Sequence, residues 1–218
     1  MKLYLDSADL AAVTPLLATG LFAGVTTNPL ILQQAGVRLD QVPRLVADLT
    51  AAGSSTVFVQ TVERTADAVV DEGRRLADLG EHVVVKVPAD REGLTATVRL
   101  ARSGVPVLVT AVHHARQAVL AAAAGAWGIA PYVGRMDDAG RGGLAQVAQM
   151  QRILDGSPTR VLAASVRVVD VVHELALLGV HSVTMSPAVA AGVLADGLTD
   201  RAVDEFAEAA RALGHRER

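Results

Sequence analysis

Val83-Val84-Val85-Lys86-Val87-Pro88 places one lysine inside a run of β-branched residues that ends at a proline. Such a run reads as a parallel strand buried on both faces, and Pro88 disfavours its continuation. Lysine is rarely fully buried without a partner, so two readings of Lys86 stand side by side. It could run its methylenes along the strand end and keep its ammonium in water. Alternatively, it could be an amine kept neutral by desolvation and ready to attack a carbonyl. Lowering a lysine pKa from about 10.4 to 7–8 costs roughly 3–5 kcal/mol, which a valine-lined interior can supply.

The other short apolar runs end in polar residues too. In order these are Asp6, Thr26 with Asn28, Gln60, Lys86, Thr110, Tyr132, and Ser165 with Arg167. Each has an ordinary reading. Asp6 could cap a helix, Asn28 could shape a turn, and Gln60 and Thr110 could satisfy loop amides. Tyr132 could edge the core, and the arginines could be solvated surface. Together they would suit an imine-forming amine. The imine turns a former carbonyl carbon into an electron sink, so a neighbouring C–C bond can break or form without a metal. Tyr132, Asp6, Gln60, Thr110, Asn28 and Ser165 are the right groups to move protons and hold hydroxyls. Arg135 and Arg167 could grip a phosphate bidentately.

The elements that must position these residues follow from periodicity. Eight short strands are expected at Lys2–Leu5, Gly24–Thr26, Thr56–Thr61, Val83–Val87, Val107–Thr110, Trp127–Ala130, Arg160–Ala164 and Ser182–Met185, each followed by a helical pattern. Asp6 or Ser7 is expected to cap the first helix, over Ala8–Thr19. Pro29 suits a helix start, and Pro131 should stop the sixth strand. Strict alternation argues for a parallel sheet covered by helices, and eight repeats in 218 residues fit a single α/β domain, a (β/α)8 TIM barrel. No Gly-x-Gly-x-x-Gly follows the first strand, which disfavours a doubly wound sheet. In such barrels chemistry sits at the C-terminal rim of the strands.

Composition narrows the function classes. Hydrophobic residues form 51% of the chain and charged ones 20%, enough for a large core and inconsistent with disorder. A net charge of −3 without a basic cluster argues against nucleic acid as a partner. With no cysteine, disulfide, thiolate and Cys-based metal chemistry drop out. His113 and His114 are adjacent, so their side chains diverge and share no metal. No metal or cofactor is expected. The longest uncharged apolar stretch, Val119 to Val133, is shorter than the ~20 residues of a spanning helix. Acids come too early at the N-terminus for a signal peptide, so a soluble cytoplasmic protein is expected.

Leu5-Asp6-Ser7, Gly24-Val25-Thr26-Thr27-Asn28-Pro29, Val84-Val85-Lys86-Val87-Pro88, Ala130-Pro131-Tyr132-Val133-Gly134-Arg135 and Ala163-Ala164-Ser165-Val166-Arg167 together resemble the transaldolase family. They resemble most the short bacterial branch that includes the fructose-6-phosphate aldolases. The resemblance runs from the first strand to the last and implies class I aldolase chemistry on a sugar or sugar phosphate. Lys86 would form the Schiff base with C2 of a ketose or of dihydroxyacetone. Asp6 would assist proton transfer, Asn28 and Ser165 would hold donor hydroxyls, and Arg135 and Arg167 would bind the aldehyde's phosphate.

Within the family, transaldolases typically carry glutamate in place of Gln60 and phenylalanine in place of Tyr132. Glutamine and tyrosine at these positions resemble the aldolases, where the phenol could relay a proton through water held by Gln60 and Thr110. The resemblance therefore favours fructose 6-phosphate cleavage, with dihydroxyacetone-unit transfer as the alternative and a non-catalytic sugar-phosphate-binding barrel behind both. Arg167 is more transaldolase-like, Val166 replaces the usual aromatic, and His113-His114 departs from both patterns. After the sixth strand a glycine-rich loop, Gly140 to Gly143, is expected to lead into a helix ending near Asp155; it reads as a flexible connector, though its amides could cradle phosphate. A last helix over Asp200–Leu213 carries Val203, Phe206, Ala210 and Leu213 at helical spacing. The resemblance implies that residues 200–218 pack on a neighbouring subunit in a homo-oligomer, a pentamer or a decamer of stacked pentamers.

Overall fold

The computed structural model describes residues 1–214, so the end of the expected terminal segment, residues 215–218, lies outside the described residues. Eight parallel strands close on themselves in sequence order: β1 (Lys2–Asp6), β2 (Phe22–Thr26), β3 (Thr56–Gln60), β4 (Val83–Pro88), β5 (Val107–Val112), β6 (Gly128–Pro131), β7 (Arg160–Val166) and β8 (Ser182–Met185). Pairing of Lys2–Leu5 with Ser182–Met185 seals the ring. Helices α1 (Leu10–Leu17), α2 (Pro29–Gln34), α3 (Val42–Ala51), α4 (Ala66–Ala77), α5 (Arg91–Arg102), α6 (Arg116–Ala123), α7 (Val133–Asp138), α8 (Gly143–Ile153), α9 (Val169–Leu177), α10 (Pro187–Leu194) and α11 (Gly197–Ala212) follow in order. The expected (β/α)8 barrel is the architecture. Among the described residues no helix is long and apolar enough to cross a membrane.

Two apolar layers hold it together. The larger lies between strands and helices and takes the outward-facing valines, among them Val57, Val85, Val109 and Val183. The smaller fills the barrel itself with Tyr4, Phe58, Val84, Leu108 and Leu162, topped by Tyr132. Phe58 anchors this plug through edge-on contacts with Tyr4 at 5.1 Å and Trp127 at 5.7 Å between ring centroids. Side chains alternate along a strand, so the residue two positions beyond Tyr4, Phe58, Val84 and Leu108 faces the same interior, one layer higher. Those residues are Asp6, Gln60, Lys86 and Thr110. The polar ring thus follows from where the apolar plug stops.

Three local expectations need correction. Asp9, not Asp6 or Ser7, caps α1, accepting the amides of Ala11 and Ala12 at 3.0 and 3.3 Å. That leaves the Asp6 carboxylate free to face the barrel. Pro131 ends β6 rather than stopping it one residue earlier, and α7 follows at once in place of the expected loop. The glycines after α7 form a tight connector: Gly142 takes a left-handed φ of 64°. The Gly143 amide is already given to Asp137 Oδ1 at 2.6 Å, so that amide is not available to a phosphate.

Candidate active site

The rim of the barrel encloses a cavity of about 180 Å³ lined by Lys86, Asp6, Asn28, Tyr132, Arg135 and Ser165, with Leu30, Ile31 and Gln34 of α2 as one wall. Its size suits a small metabolite better than a drug-sized ligand. Six of the ten residues expected to do chemistry therefore share one concave space.

Lys86 is only 4% exposed, and its Nζ donates to the backbone carbonyl of Thr27 at 2.6 Å. Loss of water around the amine lowers its pKa to about 8, against a smaller opposing pull from the Asp6 carboxylate. Relative to an ordinary lysine at 10.5, this gives roughly 300-fold more neutral amine at pH 7. A lysine shifted in this direction is better suited to act as an amine nucleophile than an ordinary one.

Asp6 accepts a 2.6 Å hydrogen bond from the Thr26 hydroxyl, which lies 2.7 Å from the Thr184 hydroxyl. An ionised carboxylate only accepts, so the proton order is Thr184 to Thr26 to Asp6. Thr184 joins this hydrogen-bonded group and is the member that reading the sequence missed. It precedes the last residue of β8, and the alternation Ser182-x-Thr184 was the signal that it faces the interior.

Tyr132 begins α7 directly after β6, and its hydroxyl lies 3.0 Å from that of Thr110. Burial raises its pKa above the usual phenol value, so the phenol keeps its proton at neutral pH. The Arg135 guanidinium sits 4.8 Å from the Tyr132 ring centroid, and the His113 ring meets the same ring edge-on at 5.4 Å. His113 is held below its ordinary pKa by burial and by Arg135 and Arg141; the ring of His114 turns elsewhere, its Nδ1 accepting the Arg116 amide at 3.2 Å.

Asn28 caps α2 by accepting the Ile31 amide at 3.0 Å. Its Nδ2 is the end left to donate to a ligand. Ser165 and Ala111 adopt left-handed φ angles of 58° and 56°, each at a register break near the end of its strand. Side chains other than glycine and asparagine rarely take this conformation, and such outliers cluster at functional rims. At Ser165 the bulge leaves the residue on the cavity wall.

Two expected residues are placed elsewhere. Gln60 is in register with Lys86 but lines a neighbouring cavity with Arg64, Asp90 and Glu92. Lys86, reaching from β4 to the turn after β2, spans the strand between them and covers the interior there. The pairing of Tyr132 with Thr110 is therefore present without Gln60. Arg167 does not line the Lys86 cavity either: it makes a bidentate pair with Asp138 of α7, at 2.6 and 2.5 Å. Both groups are about half exposed.

Comparison with known proteins agrees with this geometry. The family model described as transaldolase/fructose-6-phosphate aldolase matches residues 3–218. A "Probable transaldolase" of Rhodospirillum centenum is 42% identical over 209 residues, covering 94% of this chain and 89% of its own. Proteins of the same name from Cereibacter sphaeroides and Hyphomonas neptunium are 39% and 37% identical, covering 94% and 98% of this chain and 94% and 99% of theirs. Among solved structures, a mandelate oxidase mutant with a monooxide FMN adduct superposes with a TM-score of 0.58 at 19% identity. It covers 86% of this chain, while this chain spans 65% of that one, and the likeness is one of barrel fold alone. A buried, activated lysine in a polar barrel mouth and a match along nearly the whole chain agree: this protein is an enzyme of the transaldolase/fructose-6-phosphate aldolase family.

Proposed function

We propose that Lys86 forms a Schiff base with the C2 carbonyl of a ketose phosphate and that the chain transfers the resulting dihydroxyacetone unit to an aldose phosphate. The observation that carries this reading is the buried amine, with a pKa of about 8, at the floor of a cavity that also holds Asp6 and Arg135. The neutral amine attacks C2 and water leaves, giving the imine. Asp6 then takes the proton of the C4 hydroxyl as the C3–C4 bond breaks, and that electron pair moves into the imine to give an enamine while the aldehyde departs. Asn28 and Ser165 hold hydroxyls of the retained three-carbon unit, and Arg135 faces the phosphate of the aldehyde. Attack of the enamine on a second aldehyde completes transfer, and water then frees the lysine. The names of the relatives favour this reading. It would place the enzyme in the pentose phosphate pathway of the cytoplasm.

A second reading rests on Tyr132. Its protonated phenol beside Thr110 supplies a donor that could quench the enamine and release free dihydroxyacetone, making the enzyme a fructose 6-phosphate aldolase. Borohydride reduction in the presence of dihydroxyacetone, followed by mass mapping, tests the shared step: the adduct is expected on Lys86, and an unmodified Lys86 sinks both readings. Turnover of fructose 6-phosphate with and without erythrose 4-phosphate separates them. Strict dependence on the acceptor supports transfer, and acceptor-independent cleavage supports the aldolase.

The enzyme is further proposed to work as a homo-oligomer, a pentamer or decamer, with α11 seated on a neighbouring copy. None of the 16 residues of α11 is buried, and Phe206 on it is 72% exposed. An apolar groove lined by Pro29, Leu30, Leu32, Val37, Leu39 and Val62 offers a surface of matching character.

A further inference from the structure

We propose that Asp138 is a specificity-determining residue that competes with the substrate's phosphate for Arg167, and so sets how strongly the enzyme favours phosphorylated over unphosphorylated aldehydes. The inference rests on the proposed aldehyde site beside Arg135.

Arg167 follows β7 two residues after Ser165 of the cavity wall, and its side chain crosses α7 at Gly134. A Cβ on Gly134 would lie 2.8 Å from Arg167 Nε and 3.1 Å from Arg167 Cδ. Gly134 and Asp138 are four residues apart and share one face of α7, so the missing side chain opens a track that leads the guanidinium to the carboxylate. There both Nη atoms donate, one to each carboxylate oxygen. The Asp138 carboxyl is held below its usual pKa, first by the Arg167 hydrogen bond, with smaller help from the charges of Arg167 and Arg135, so the pair is fully charged at neutral pH. Asp137 adds a second negative charge near Arg167, but is itself engaged by the Gly143 amide.

A phosphate and a carboxylate use the same parallel N–H pair of a guanidinium. With that edge given to Asp138 and the Nε side lying over Gly134, Arg167 reaches a phosphate only by exchanging partners. Arg135 stays over Tyr132 on the cavity wall, available without exchange. Of the two arginines expected at the phosphate, Arg135 has no hydrogen-bond or ion-pair partner among the described residues, and Arg167 is restrained by an internal competitor.

The test compares the full-length enzyme with Asp138→Asn, Arg167→Met and the double variant. Inorganic phosphate binding, measured by calorimetry, is expected to tighten about two- to fivefold in Asp138→Asn, the range typical of releasing an exposed ion pair. The preference for glyceraldehyde 3-phosphate over glyceraldehyde as acceptor should rise by the same factor, with the rate on glyceraldehyde unchanged. In the Arg167→Met background the Asp138→Asn change should move neither quantity. Weaker phosphate binding in Asp138→Asn would mean that Asp138 orients Arg167 for the ligand, and would overturn the proposal. An unchanged affinity, or the same gain in the absence of Arg167, would overturn it as well. Borohydride trapping on the same variants keeps the two readings apart: failure to label Lys86 refutes the imine chemistry, while the calorimetric comparison still decides the role of Asp138.

Discussion

The amine of Lys86 on β4 is tied to the backbone carbonyl of Thr27 in the turn after β2, a 2.6 Å link that spans the intervening strand. The end of β2 supplies Thr26, which donates to Asp6, and the turn supplies Asn28, which caps α2 and lines the cavity. The amine, the carboxylate and the cavity-lining amide are thus registered by three consecutive residues, Thr26, Thr27 and Asn28. In the proposed reaction a protonated imine on Lys86 would keep one N–H, so the Thr27 carbonyl could hold the nitrogen both before and after substrate arrives.

Keeping this amine in the interior lowers stability, and the sign can be worked out. A base whose pKa falls on folding, here from 10.5 to about 8, gives a native state that releases its proton before the unfolded chain does. Stability therefore rises with pH across that window and is lowest below pH 8. Lys86→Met removes the charge but leaves the Thr27 carbonyl without this donor. The variant is expected to be more stable than the parent by roughly 1–3 kcal/mol at pH 7, with the gain shrinking toward pH 10.5. Urea unfolding at several pH values measures it. A variant no more stable at pH 7, or a gap that fails to close, would contradict the burial of a charged amine.

The same depressed pKa governs reactivity. The rate of imine formation with dihydroxyacetone should climb about tenfold per pH unit below 8 and level above it. Rapid-quench borohydride trapping across pH 6–11 gives the profile, and a plateau reached only near pH 10 would show an unperturbed lysine.

Tyr132→Phe removes a hydroxyl without disturbing the ring that packs against Arg135 and His113. Trapping of dihydroxyacetone on Lys86 should persist. Acceptor-independent cleavage should fall by about 100-fold, the usual contribution of one positioned acid, with transfer to an acceptor much less affected. Equal loss of both activities would remove the phenol from the proton relay.

Much of this site was legible in the sequence because period-two alternation and the strand ends are local properties. A plug member two residues earlier on β1, β3, β4 and β5 announces Asp6, Gln60, Lys86 and Thr110 as interior groups. What remained hidden depends on contacts between distant segments. On its way to Asp138 the Arg167 side chain passes where a Cβ on Gly134 would stand, and no spacing along the chain reveals that coincidence. Gln60 faces the interior by alternation, yet which cavity it borders is decided by the path of Lys86 across β3. The cap of α1 moved from Asp6 to Asp9 because Asp6 is still inside β1, where Thr26 claims its carboxylate. Short helix α7 was missed because it starts directly after a proline-terminated strand, with no capping side chain at Tyr132.

Thr184 gives a test of the hydroxyl chain that ends on Asp6. Thr184→Val keeps the volume but takes a donor away from the buried Thr26 hydroxyl. About 1–2 kcal/mol of stability should be lost, and turnover should fall, though less than in Asp6→Asn. Equal stability and turnover in Thr184→Val and the parent would show that the 2.7 Å contact does not support the carboxylate.

The proposed seating of α11 on a second copy makes a prediction that reaches back to the active site. Leu30 lines both the Lys86 cavity and the apolar groove, so whatever occupies the groove also backs one wall of the site. Phe206→Glu puts a charge at the centre of the exposed apolar face of α11, where desolvating it in an interface would be costly. The parent should scatter light as a pentamer or larger and the variant as smaller species, while circular dichroism stays unchanged because α11 buries no residue in its own subunit. Dissociation should also raise the KM for the sugar phosphate, as the wall at Leu30 loses its backing, with less effect on trapping of the smaller dihydroxyacetone. A monomeric parent, or an oligomer indifferent to Phe206→Glu, would assign the exposed face of α11 to something other than assembly.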